Sequence, residues 1–131
     1  MENKKINIVI VDDHPIVIEG LKMMLNSQPF FNVTETFTSG SEIIRFIQSH
    51  QVDIILLDIT LPDANGTDLC REIKKISPDT SVIMFSNRSE RSIIMQSIQN
   101  GASGYLLKNT SISELAVCIK GALSGDIVFC N

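Results

Sequence analysis

Apolar residues enter this chain in two rhythms. Short, nearly unbroken runs at 6–11, 54–57, 81–85 and 104–108 alternate with longer stretches in which they recur every three or four positions. A short apolar run between polar flanks predicts a strand buried on both faces, as in a parallel sheet. Positions 32–38 set Val33 and Phe37 against Thr34 and Thr36, which predicts a more polar edge strand. Val17, Leu21, Met24 and Leu25 predict a helix after the first run, with Asp13 as its cap and Pro15 in its first turn. Ser41 predicts the cap of a second helix carrying Ile43, Ile44 and Ile47. Leu69, Ile73 and Ile76 predict a third, stopped by Ser77-Pro78. A fourth helix is expected over 90–100, with Gly101 past its end. Ser111-Ile-Ser-Glu114 is a capping-box pattern opening a last helix, with Leu115, Ile119 and Leu123 on one face.

Five strands and five helices in strict alternation predict an α/β domain with right-handed crossovers. The expected fold is a flavodoxin-like (βα)5 doubly wound parallel sheet with strand order 2-1-3-4-5. The 131 residues make one domain with one core. The apolar ending, Gly125-Asp-Ile-Val-Phe-Cys-Asn131, is poorly suited to a free tail, and the natural chain is expected to continue.

Composition narrows the function. With net charge −4 and scattered Lys and Arg, residues 1–131 are not expected to bind nucleic acid. No apolar stretch approaches the roughly 20 residues that cross a bilayer, and the N-terminus leads directly into a strand, so the chain reads as cytoplasmic. Cys70, Cys118 and Cys130 are odd in number and widely spaced, which argues against disulfides or a zinc site.

The candidate chemistry lies where apolar runs meet polar residues. Asp12 and Asp13 end the first run, Asp58 the third, Ser86 the fourth and Lys108 the fifth. In the expected strand order the first and third strands flank the point where the winding reverses, so three carboxylates share one crevice. Crowded carboxylates raise each other's pKa unless a cation separates them, and Mg²⁺ with oxygen ligands does this. Such a site receives a phosphoryl group, with an Asp58 oxygen as nucleophile and the charge spread over Mg²⁺, Lys108 and Ser86. Neither GxxxxGK[ST] nor GxGxxG occurs, so the donor is expected to be small or protein-borne, not a cradled nucleotide.

Val11-Asp-Asp-His-Pro15 together with Gly104-Tyr-Leu-Leu-Lys108 resembles the bacterial two-component response-regulator receiver domains of the NarL/FixJ (LuxR-type) subfamily, over essentially the whole chain. The resemblance implies a phosphorylation-dependent switch, not a conventional enzyme, in which Asp58 accepts from a sensor histidine kinase. It further implies that Asp13, Asp58 and the Thr60 backbone carbonyl ligate Mg²⁺ (or Mn²⁺), and that Asp12 acts through water. Lys108 would pair with the phosphate, while Ser86 and Tyr105 would form the switch. The output would be a C-terminal helix-turn-helix DNA-binding domain, absent from residues 1–131, and phosphorylation would favour a homodimer. Phosphorylation is expected to draw Ser86 inward and let Tyr105 turn from solvent to a buried rotamer. That would alter a surface carrying Ile93, Ile94 and Ala116. Three positions depart from the subfamily pattern. Asn109 replaces a proline often preceded by a cis bond, which leaves the Lys108–Asn109 geometry open; a cis bond before a non-proline residue costs about 2.5–4 kcal/mol. Asn87 replaces a small residue and is expected to narrow access to Asp58. Leu61 stands where methionine is common.

Taken singly, each residue has a plainer reading. Asp12 and Asp13 cap a helix, Asp58 starts a turn, Lys108 is a solvated strand end, Ser86 is a satisfied hydroxyl, and Tyr105 is a packed aromatic. For His14 a phosphorelay or metal role is the alternative, but beside a helix start it reads as a solvated neighbour, and Asn65-Gly66 reads as turn geometry. The joint placement favours the switch. The alternatives are an unphosphorylated pseudo-receiver that only binds partners, and a flavin-binding flavodoxin relative. The latter is disfavoured by a single Tyr, no Trp and no Ser/Thr-rich loop after the first strand.

Overall fold

The computed structural model describes residues 5–130. In chain order the elements are β1 (Ile6–Val11), α1 (Pro15–Asn26), β2 (Phe31–Phe37), α2 (Gly40–Ile47), β3 (Ile54–Leu57), α3 (Gly66–Ile76), β4 (Ser81–Ser86), α4 (Arg91–Gln99), β5 (Gly104–Leu107), α5 (Ile112–Leu123) and β6 (Val128–Cys130). All strand pairs are parallel and the order is β2-β1-β3-β4-β5-β6. The expected flavodoxin-like order is therefore present. The sixth strand is the addition: the apolar ending is an edge strand on β5, not a tail.

Period-two alternation assigns each strand residue to one of two cores. Val9 and Val11 join Ile55, Leu57, Val82, Met84 and Tyr105 beneath α2 and α3. Ile8 and Ile10 join Ile54, Leu56, Ile83, Phe85 and Leu106 beneath α1 and α5. Burial on both faces explains why these strands are apolar throughout, whereas β2, at the edge, keeps Thr34 and Glu35 exposed. On α5 the buried stripe is Leu115, Cys118, Ile119 and Ala122, while Leu123 turns out to be 40% exposed. Cys118 is disulfide-bonded, which corrects the expectation of free thiols throughout. Cys70 is free, and burial pushes its thiol up to about 11.

Two helix starts differ from their expected caps. The N-cap of α1 is His14 and not Asp13, and it makes no side-chain cap bond. The N-cap of α2 is Ser39, not Ser41. The exposed backbone amides of α2 are satisfied from afar: Asp63 accepts from Gly40 N (2.8 Å) and Ser41 N (3.1 Å). Those two bonds hold the Asp63 carboxyl below its ordinary value.

The register aligns the carboxyl ends of the central strands. Val11 pairs with Leu57, Leu57 with Met84 and Ser86 with Leu107. Bonds from Asp58 N to Val11 O and from Lys108 N to Ser86 O, each 2.9 Å, carry this alignment one residue further. Asp12, Asp58, Ser86 and Lys108 therefore emerge along one edge.

Behind that edge Gly66 opens α3 against the β3 backbone. A Cβ there would overlap the Asp58 carbonyl oxygen and lie 2.6 Å from Ile59 Cα. Gly66→Ala is expected to destabilise the protein by about 1–3 kcal/mol through overpacking against main chain, which cannot rotate away. Urea unfolding measures this. A midpoint matching the parent's would show that the β3–α3 loop yields freely.

Candidate functional site

Each site residue owes its place to a strand end. Asp12 and Asp58 are buried, with side chains 2% and 5% exposed, because each directly follows four consecutive buried strand residues. Lys108 leaves β5 and runs back across the edge. Its Nζ is 2.8 Å from Asp12 Oδ2 and 3.4 Å from Asp58 Oδ2. Lys108 is only 9% exposed, so a strand-end lysine is here a buried cation between two buried anions.

Burial raises the Asp58 pKa most, with repulsion from Asp12 next. Lys108 and a backbone hydrogen bond from Thr60 pull it down. Asp13 is a third exposed by side chain and stands at the rim. Asp12 Oδ2, Asp13 Oδ1 and Asp58 Oδ2 are all buried without a hydrogen bond, and the lysine ammonium lies within ion-pair distance of Asp12 Oδ2 and Asp58 Oδ2. Together with His14, these aspartates offer ligand atoms within 4.8 Å of one another. Hard oxygen donors with unused lone pairs suit Mg²⁺, so the residues present fit the cation the sequence implies.

His14 departs from its expected role as a solvated neighbour. Its Nδ1 hydrogen-bonds Asp12 Oδ1 at 2.8 Å, and it lies 3.2 Å from Asp13 Oδ1 and 3.8 Å from Asp58 Oδ2. Spacing alone gave no signal for this, because a residue three past a strand end can face either way.

Ser86 and Tyr105 meet at one backbone unit. Ser86 Oγ accepts from Arg88 N (3.0 Å), and the Tyr105 hydroxyl donates to Arg88 O (2.6 Å). Tyr105 is only 3% exposed, and burial raises its hydroxyl pKa. The expected starting point, a ring in solvent, is thus corrected: the ring already fills the space beneath the β4–α4 loop. Asn87 is exposed at the start of that loop. No cis peptide occurs among the described residues, so Lys108–Asn109 is trans.

The loop after Asp58 is braced more than a turn requires. Thr60 and Asn65 form an isolated antiparallel bridge, and Gly66 N bonds Ile59 O at 2.5 Å. Asn65 caps α3 by accepting from Thr67 N (2.8 Å) and Asp68 N (3.4 Å). Asn65-Gly66 is therefore a helix start that fixes the Thr60 segment, a reading the Asn followed by an apolar-periodic stretch permits.

Because the folded-state pKa of Asp58 is raised, the native state binds more protons than the unfolded state between the ordinary value, 3.8, and that raised value. Stability contributed by this site therefore falls as pH rises through that window. Asp58→Asn is expected to be more stable than the parent near neutral pH, with the gap closing below pH 3.8. Urea unfolding in chelator at both pH values checks this, and a gap of the opposite sign would contradict the assigned burial cost.

The comparisons with known proteins agree with this geometry. The sequence matches the response regulator receiver domain family over residues 8–120. It is 33% identical over 125 residues to the transcriptional regulatory protein DegU of Brevibacillus brevis, covering 95% of this chain and 53% of that protein. It is 29% identical over 126 residues to the probable transcriptional regulatory protein NarL of Mycobacterium tuberculosis, covering 95% of this chain and 58% of that one. The chain thus spans little more than half the length of these relatives. Among solved structures, a LuxR-family two-component response regulator from Aurantimonas sp. SI85-9A1 superposes with a TM-score of 0.89 at 28% identity, covering 97% of this chain and 90% of that one. The signal receiver domain of the putative response regulator NarL from Mycobacterium tuberculosis gives 0.83 at 30% identity, covering 90% and 98%. The matched segment contains all of the acidic edge, Ser86 and Lys108, and the chain belongs to the response regulator receiver domain family, with relatives of the NarL, DegU and LuxR type.

Proposed function

We propose that this domain is a phosphorylation switch in which Asp58 accepts a phosphoryl group from a phosphohistidine of a sensor kinase. The observation that carries the reading is a buried carboxylate whose Oδ2 makes no hydrogen bond, facing one buried ammonium at the carboxyl edge of the sheet. An Asp58 oxygen attacks phosphorus in line. The P–N bond breaks, its electron pair leaves on the kinase imidazole, and an acyl phosphate forms. Lys108 Nζ holds one phosphoryl oxygen and the Ser86 hydroxyl donates to another. Asp13, Asp58 and the Thr60 carbonyl would hold Mg²⁺ (or Mn²⁺) directly and Asp12 through water, and the ion when bound offsets charge on the transferring group. The domain assists its own modification and turns over no separate substrate.

The new group brings about −1.5 to −2 charges and three acceptor oxygens to the Ser86 end of β4. Ser86 now serves Arg88 N, so donating to the phosphoryl group reshapes the same loop that Tyr105 holds through Arg88 O. The strain is passed to α4, the helix with the least buried face, where Ser97 alone is fully buried. Asn87 is exposed at the loop's first position, and its regulating entry to Asp58 is part of the proposal. The relatives are named transcriptional regulators and are longer. A C-terminal DNA-binding output, a phosphorylation-favoured homodimer and a cytoplasmic setting follow as parts of the proposal. No helix among the described residues is long and apolar enough to cross a membrane.

Two outcomes are expected. Incubation with Mg²⁺ and acetyl phosphate should add one phosphoryl group by intact mass. Chelator or Asp58→Asn should abolish it, and unchanged labelling of Asp58→Asn would sink the assignment. Residues 1–131, with net charge −4, should show no specific affinity for duplex DNA at physiological salt. Tight binding in a titration would place the output within this domain instead.

A further inference from the structure

We propose that His14 is a ligand to the cation at this site and shifts its preference from Mg²⁺ toward borderline ions such as Co²⁺ and Zn²⁺. The proposal rests on the metal-dependent reading above and adds to it a donor of a different chemical kind. The aspartates supply oxygen alone. His14 Nδ1 lies 2.8 Å from Asp12 Oδ1, 3.2 Å from Asp13 Oδ1 and 3.8 Å from Asp58 Oδ2, facing the three carboxylates together. Two of those carboxylates are on side chains more than nine-tenths buried, and Asp58 Oδ2 among them has no hydrogen bond. Ligands opposite one another on a small divalent ion stand about 4.2 Å apart. The four residues already offer atoms within 4.8 Å, so a slight contraction completes the set.

The imidazole is free to change partners. Its side chain is 59% exposed, and the loop does not depend on it, because His14 N separately donates to Asp12 Oδ1 at 2.8 Å. In the structure Nδ1 bonds a carboxylate oxygen. As a ligand Nδ1 presents its lone pair, and the ring proton resides on Nε2. Mg²⁺ favours oxygen and holds its waters, so it gains little from the nitrogen. Imidazole suits the later divalent ions, and the contrast between them is what His14 sets.

The test uses residues 1–131 without a polyhistidine tag. Co²⁺ and Mg²⁺ are titrated separately by calorimetry into the parent, His14→Ala and His14→Gln. Both variants should lose about tenfold in Co²⁺ affinity while Mg²⁺ affinity changes by less than about twofold. Histidine ring ¹⁵N spectra add a direct reading, since the chain has two histidines and His50 serves as the internal control. Zn²⁺ should shift the His14 nitrogens and leave those of His50 in place. An unchanged Co²⁺-to-Mg²⁺ ratio in both variants, or unmoved His14 resonances, overturns the proposal. So does Co²⁺ affinity retained in His14→Gln but lost in His14→Ala, because a hydrogen bond and not ligation would then be at work. A parent that binds neither ion is a different result: it removes the metal-dependent reading itself.

Discussion

The site depends on one ammonium. Lys108 Nζ stands between Asp12 and Asp58 at 2.8 and 3.4 Å, and all three side chains are nearly out of water. Two buried carboxylates this close raise each other's cost of ionisation, and that repulsion is the second cause of the raised Asp58 pKa. Breaking a buried pair by removing one partner commonly costs about 3–5 kcal/mol, because the charge left behind has no solvent. The lysine thus makes the acidic edge tolerable in the resting protein. It remains unable to satisfy every lone pair, since Asp58 Oδ2 keeps no hydrogen bond. A site with one charge neutralised and oxygen capacity left over is prepared for a further cation and for an incoming anion.

Backbone register, not loop design, creates that edge. Parallel pairing aligns Val11, Leu57 and Met84, and Ser86 with Leu107, so the next residues of β1, β3 and β5 meet without long-range instruction. This is why so much was legible in the sequence. Unbroken apolar runs identify central strands, and the polar residue ending each run must lie at one edge once the strands are parallel. Asp12, Asp58, Ser86 and Lys108 follow from that logic alone. The sixth strand did not, because three residues beyond a helix carry too little periodicity to distinguish an edge strand from an apolar tail.

What escaped the sequence is tertiary in origin. Asp63 caps α2 from 22 and 23 residues away, and nothing local in Ser39-Gly-Ser41 signals a borrowed carboxylate. The side-chain direction of His14 is set by the turn between β1 and α1, which a residue pattern leaves undetermined. Tyr105 was legible as an aromatic near the Ser86 hydroxyl, but its rotamer depends on an acceptor at Arg88 O supplied by another loop. The Cys118 disulfide likewise defeats spacing arguments, because cysteine pairing is decided by the fold and not by sequence separation.

The Arg88 backbone links these observations to the proposed switch. Its N–H is held by Ser86 and its carbonyl by Tyr105, so the two peptide groups flanking one Cα are tied to two strands at once. Any group that competes for the Ser86 hydroxyl weakens one of these bonds and changes the geometry of the other. Two-state behaviour then needs no large motion of the ring, which is already buried. It needs only that the loop before α4 have an alternative arrangement, and α4 is lightly seated on Ile93, Ile94 and Ile98, all partly buried. A helix with little apolar area to lose is the inexpensive element to move, since the cost of shifting it scales with the area uncovered. In the proposed switch the rigid sheet and the weakly held helix are therefore complementary: one would fix where the charge arrives, and the other would be where its arrival is felt.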